Sequence, residues 1–114
     1  MFIDLISNKI LGMNIDSPPS LPRKERVILE LLVSAGPLYG LQLVKFSDGA
    51  LKRGTVYATL ARMEAKGYVE SEQEELPAGA IGLPRRIYRP TPLGKRVRRA
   101  WVALAREFAL EVPR

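Results

Sequence analysis

The 114-residue sequence predicts a mainly α-helical fold with one small β-hairpin. Three observations carry that prediction. Apolar residues recur at helical spacing in five segments, two short strand-like runs flank one Pro- and Gly-rich stretch, and the length suits one modest core. The missing residue types exclude much. With no histidine and no cysteine, the chain has no imidazole base, no thiolate nucleophile, no disulfide and no zinc site of the usual kind. Its scattered carboxylates form no acid/base pair, so no catalytic residue, metal or cofactor is expected. No apolar run approaches the roughly 20 residues of a membrane span. Asp4 precedes any basic residue, unlike a secretory signal. A cytoplasmic protein with no membrane partner is expected.

Residues 1–20 read as an arm helix and linker. Ile3, Ile6, Ile10 and Met13 share one helical stripe, and Gly12, Pro18 and Pro19 close it. So short a helix is marginal alone and must dock on something. Residues 21–90 form the central domain. Its first helix spans 21–35, with Ser20 as N-cap and Val27, Ile28, Leu31, Leu32 and Ala35 as the buried stripe. Arg23, Lys24, Arg26 and Glu30 make the wet side, and Gly36-Pro37 breaks the helix. A short helix over 39–46 follows, closed by Ser47-Asp48-Gly49.

The third helix spans 53–66 and ends at Gly67. Val56, Leu60 and Met63 face the core, while Thr55, Ala58, Thr59, Arg62 and Lys66 form the opposite face. Small, hydroxyl and basic side chains suit a helix lying in a DNA major groove, although ordinary exposed faces look similar. Strands over 68–76 and 85–89 then make a hairpin with an apolar, turn-rich tip at 77–84. Symmetric pairing about that tip sets Glu75 opposite Arg86 and Glu72 opposite Arg89.

Residues 91–114 form the last helix, opened by Thr91-Pro92 as cap and first position. Leu93, Val97, Trp101, Leu104 and Phe108 make an apolar seam. Coming after the hairpin, it has little of the domain left to cover. The seam therefore points to a second copy of the chain, a homodimer, or else to the chain's own arm.

Charge is unevenly placed. Residues 1–76 carry 9 basic and 10 acidic side chains, whereas residues 77–114 carry 9 and 2. The total is +6. Such asymmetry points to a polyanion, or to a solvated helix face balanced by acidic neighbours.

Helix, short helix, helix, hairpin and coiled-coil-like helix is the order of a winged helix-turn-helix with a dimerisation element. Three motifs then resemble one known family. Gly36-Pro37-Leu38-Tyr39-Gly40-Leu41-Gln42-Leu43 is similar to the turn into the second helix of the PadR-type transcriptional regulators. Residues 54–69, from Gly54-Thr55-Val56-Tyr57 to Gly67-Tyr68-Val69, are similar to their recognition helix and first wing strand. Residues 84–94, ending in Pro90-Thr91-Pro92-Leu93-Gly94, are similar to their second wing strand and the cap of their last helix. The chain departs from the usual family pattern at Tyr39, Leu41, Lys52 and Ala58.

The resemblance implies a repressor that binds double-stranded DNA as a homodimer on an inverted repeat, with one C-terminal helix as in the shorter subgroup. It places Thr55, Tyr57, Thr59, Arg62 and Lys66 on the recognition helix, Lys52 and Arg53 at its N-terminus, and Arg85 and Arg86 on the wing. It also implies an effector pocket beside the last helix, where Trp101 could stack a small aromatic effector; packing in the dimer core is the plainer role for that side chain. The residues leave one alternative of another class: a winged-helix interaction module whose basic last helix docks an acidic protein.

Overall fold

The computed structural model describes residues 20–108. The arm expected over residues 1–19 and the end of the last helix, residues 109–114, lie outside them. The described chain runs α1 (Arg23–Ala35), β1 (Leu38–Tyr39), α2 (Gly40–Phe46), α3 (Val56–Ala65), β2 (Val69–Gln73), β3 (Arg86–Pro90) and α4 (Pro92–Glu107).

Helix α1 buries Ile28, Leu29 and Leu32, with Glu25 among them. Its core face is thus turned toward Leu29, and Ala35 is exposed. Pro22, not Ser20, holds the cap position, and no side chain caps the helix. The Ser20 carbonyl instead accepts a hydrogen bond from the Tyr68 hydroxyl at 3.1 Å. Leu43 of α2, Leu51 of the following turn, and Val56, Leu60 and Met63 of α3 meet α1 in the core, closed by Tyr68, Val69, Tyr88 and Val97. Each fully buried aliphatic side chain contributes about 1.5–3 kcal/mol.

The three strands pair antiparallel in the order β1-β3-β2. Strand β1, which the sequence pattern does not predict, pairs Leu38 with Tyr88 and Tyr39 with Ile87, tying the entrance of α2 to the wing. The wing register is shifted by two from the symmetric one: Glu70 pairs with Arg89 and Gln73 with Arg86. Glu75 therefore does not face Arg86, whose guanidinium donates to Ser71 Oγ at 3.1 Å. Glu72 still reaches Arg89, diagonally, at 2.9 Å. The register is fixed at the base rather than the tip. The Thr91 amide donates to the Tyr68 carbonyl at 3.0 Å, so the ladder is anchored where α4 begins.

Helix α4 starts as expected. Thr91 Oγ1 accepts from the Gly94 amide at 3.0 Å, with Pro92 in the first turn. Gly94 lies so close to β2 that a Cβ there would run into the Tyr68 carbonyl. The seam expectation needs correction. α4 lies along α1: Arg98 pairs with Glu30 at 2.6 Å, and the Arg26 guanidinium sits 4.1 Å from the Trp101 ring centre. Leu93, Val97 and Trp101 pack on the domain's own core. Of the seam, only half-buried Leu104 and exposed Phe108 are left for another surface.

Candidate nucleic-acid interface

The third helix starts later than its sequence suggests. The Thr55 and Val56 amides both donate to the Lys52 carbonyl, at 3.1 and 2.9 Å, so residues 53–55 form a turn before α3. Lys52, Arg53, Gly54 and Thr55 are exposed there. The outward strip of α3 comprises Tyr57, Ala58, Ala61, Arg62, Glu64 and Ala65. It is rotated by roughly a quarter turn from the expected face.

Two residues assigned to that face leave it. Thr59 is 1% exposed and its hydroxyl donates to the Thr55 carbonyl at 3.1 Å. Lys66 turns to α1, where its ammonium reaches both oxygens of Glu25 at 2.9 and 3.1 Å. The cause is α1, which packs along this edge of α3. Arg62 stays 59% exposed, with a guanidinium nitrogen donating to Thr59 Oγ1 at 3.3 Å and Nε 4.0 Å from Glu25.

Tyr57 is 48% exposed, and its ring lies across Gly40 at the start of α2. A Cβ at position 40 would come within 2.5 Å of the ring and 2.8 Å of the hydroxyl. Glycine at position 40 therefore gives the ring its seat. A packed ring on a half-exposed tyrosine suits a contact to phosphate.

At the wing base, Arg85 and Arg86 differ from simple exposed cations. The Tyr39 hydroxyl donates to Glu74 Oε1 at 2.7 Å, and Arg85 Nε donates to Oε2 at 3.2 Å. The Arg85 guanidinium also covers the Tyr39 ring at 4.1 Å. The Tyr39 hydroxyl, then the Arg85 guanidinium, hold the Glu74 carboxyl below the usual range; Glu74 in turn raises the Tyr39 hydroxyl. The wing tip beyond this cluster is apolar. Ile81 and Leu83 are 98% and 89% exposed, on either side of Gly82, and Gly79 and Gly82 take φ of 83° and 109°.

Around Trp101, the space lined by Leu21, Arg26, Glu30, Arg98 and Val102 holds about 10 Å³. That is room for a water, not an aromatic ring. Glu25 is the site residue that sequence reasoning missed. Its signal was spacing: Leu21, Glu25, Ile28, Leu29 and Leu32 fall on one helical stripe, so a carboxylate stood where a core residue belongs.

A three-helix core, a helix with an outward strip of small side chains flanked by Tyr57, Glu64 and Arg62, and a two-stranded wing with its third strand define a winged helix-turn-helix protein. Comparisons agree. Residues 28–100 match the model of the transcriptional regulator PadR-like family, and the chain belongs to that family. It is 47% identical over 58 residues to transcriptional regulator Rv3488 of Mycobacterium tuberculosis, a match over 47% of this chain and about half (50%) of that protein. The crystal structure of a PadR family transcription regulator from Clostridium difficile R20291 superposes with TM-score 0.65 at 25% identity, over 77% of this chain and 92% of that one. A PadR family transcriptional regulator from Eggerthella lenta gives 0.60 at 26% identity, over 95% and 88%. No described helix is long and apolar enough to cross a membrane.

Proposed function

We propose that this PadR-family regulator binds double-stranded DNA sequence-specifically, as a homodimer on an inverted-repeat operator, and represses by occupying it. The observation that carries this reading is the α3 strip. Ala58, Ala61 and Ala65 let the helix approach base edges closely, with Tyr57 and Arg62 flanking them and Lys52 and Arg53 at the N-terminal turn. Helix amides at that end also favour phosphate. Arg86 and the tip at 77–84 meet the adjacent groove, and Arg85 serves through its hold on Glu74 and Tyr39. Thr59 and Lys66 drop out of the contact set. Leu104 and Phe108 extend toward the second copy, and an aromatic effector would need space that only that copy could frame.

The test is a binding titration with a 30-base-pair duplex across a salt series. Tight binding at low salt that weakens steeply with salt supports the reading. Arg62→Ala should reduce preference for the selected sequence; no duplex bound at low salt overturns the proposal.

One observation favours a second reading. Lys95, Arg96 and Arg99 are exposed and make no ion pair among the described residues. They lie on the first half of α4, whose Leu93 meets Gly67 after the C-terminal end of α3. An acidic protein would dock there, and Arg96→Ala with Arg99→Ala would then abolish its binding while sparing DNA.

A further inference from the structure

Glu25 is 1% exposed, yet it is a carboxylate in the stripe that α1 turns toward the core. A buried carboxylate persists only with cations and hydrogen bonds around it. Among the described residues, its two cations come from α3 and its C-cap. Lys66 caps it at 2.9 and 3.1 Å, and Arg62 Nε stands at 4.0 Å. Lys66 also reaches the Ser20 carbonyl at 3.5 Å and lies 5.5 Å from the Tyr68 ring centre, so its ammonium is committed on several sides. Arg62 is held differently. Glu25 and the Thr59 hydroxyl take one edge of the guanidinium, while most of the side chain stays exposed.

We propose that Glu25 is a specificity-determining positioning residue for DNA recognition. Its carboxylate withdraws Lys66 from the duplex and fixes Arg62 in one pose toward it. The inference rests on α3 being the DNA-reading helix. Two physical consequences follow. Neutralising Lys66 removes one sequence-independent phosphate contact, which lowers affinity for every duplex alike. Fixing Arg62 favours forked contact with one base or phosphate arrangement over many. The buried anion lowers overall affinity and raises discrimination.

Glu25→Gln keeps the size of the side chain and removes its charge. The experiment measures binding of this variant and the wild type to two probes: a duplex selected from a random library by the wild type, and a random-sequence 30-base-pair duplex. A thermal melt confirms folding. Expected for the variant are tighter binding to the random duplex, a salt slope steeper by about 1 as Lys66 gains a phosphate, and discrimination reduced about fivefold or more. A folded variant with unchanged slope and discrimination overturns the proposal.

A second measurement on the wild type decides the matter even if the variant does not fold. Acetic anhydride labelling, read by mass spectrometry, should find Lys52 protected by the bound duplex and Lys66 equally slow with and without it. Protection of Lys66 by DNA overturns the proposal. A wild type that binds neither duplex removes the underlying reading as well, which separates the two failures.

Discussion

Replacing Gly40 by alanine separates packing from function at the α3 strip. The new Cβ would sit 2.5 Å from Tyr57 Cε1 and 2.7 Å from Cζ, so the ring must leave its seat. What moves is the end of a side chain already half exposed, and a forced rotamer costs about 0.5–1.5 kcal/mol. Against this, alanine gains about 0.5–1 kcal/mol over glycine in a helix interior, and part of that at this first position of α2. The two nearly cancel, and denaturant unfolding should show a change below about 1 kcal/mol. Function should respond more. Losing one phosphate hydrogen bond from Tyr57 costs about 1 kcal/mol, or roughly fivefold in affinity for the selected duplex. Tyr57→Phe, which keeps the ring seated, should lose a similar factor. A Gly40→Ala protein destabilised by more than about 2 kcal/mol, or one binding the selected duplex as wild type, would refute this account of Tyr57.

Other outcomes follow from the same geometry. Gly94→Ala drives its Cβ into the Tyr68 backbone carbonyl, which cannot swing aside, so unfolding should show a loss of about 3 kcal/mol or more. Leu60→Ala empties a fully buried site in α3 and should cost about 2–5 kcal/mol by the same assay. Carbon-detected NMR should find the Glu74 carboxyl titrating below the ordinary glutamate range, with its midpoint rising in Tyr39→Phe. Because its folded pKa is depressed, Glu74 supports the wing base fully above the ordinary glutamate range. That support drains as pH falls through the lowered value and is constant between pH 6 and 8.

Local signals made much of this molecule legible from its residues. Thr91-Pro92 announced α4, Gly67 ended α3, and the Pro-rich stretch at 77–84 marked the wing tip. What escaped depended on distant partners. A two-residue strand such as β1 carries no periodicity; it exists because Tyr88 and Ile87 stand beside it. The wing register followed from the Thr91–Tyr68 hydrogen bond rather than the tip. Thr59 and Lys66 left the outer face because α1 covers that edge. The α4 seam points, in the sequence, to a second copy or to the arm, because periodicity cannot say that the first helix folds back to meet the last. Arg98–Glu30 records that encounter, 68 residues apart in sequence.

Selection of bound duplexes from a random library, followed by footprinting on the winner, tests the central claim most directly. The account predicts an enriched inverted repeat with half-site centres about 10–10.5 base pairs apart. It further predicts protection of both half-sites and loss of enrichment in Arg62→Ala. Recovery of no common sequence, with no duplex bound at low salt, would contradict it.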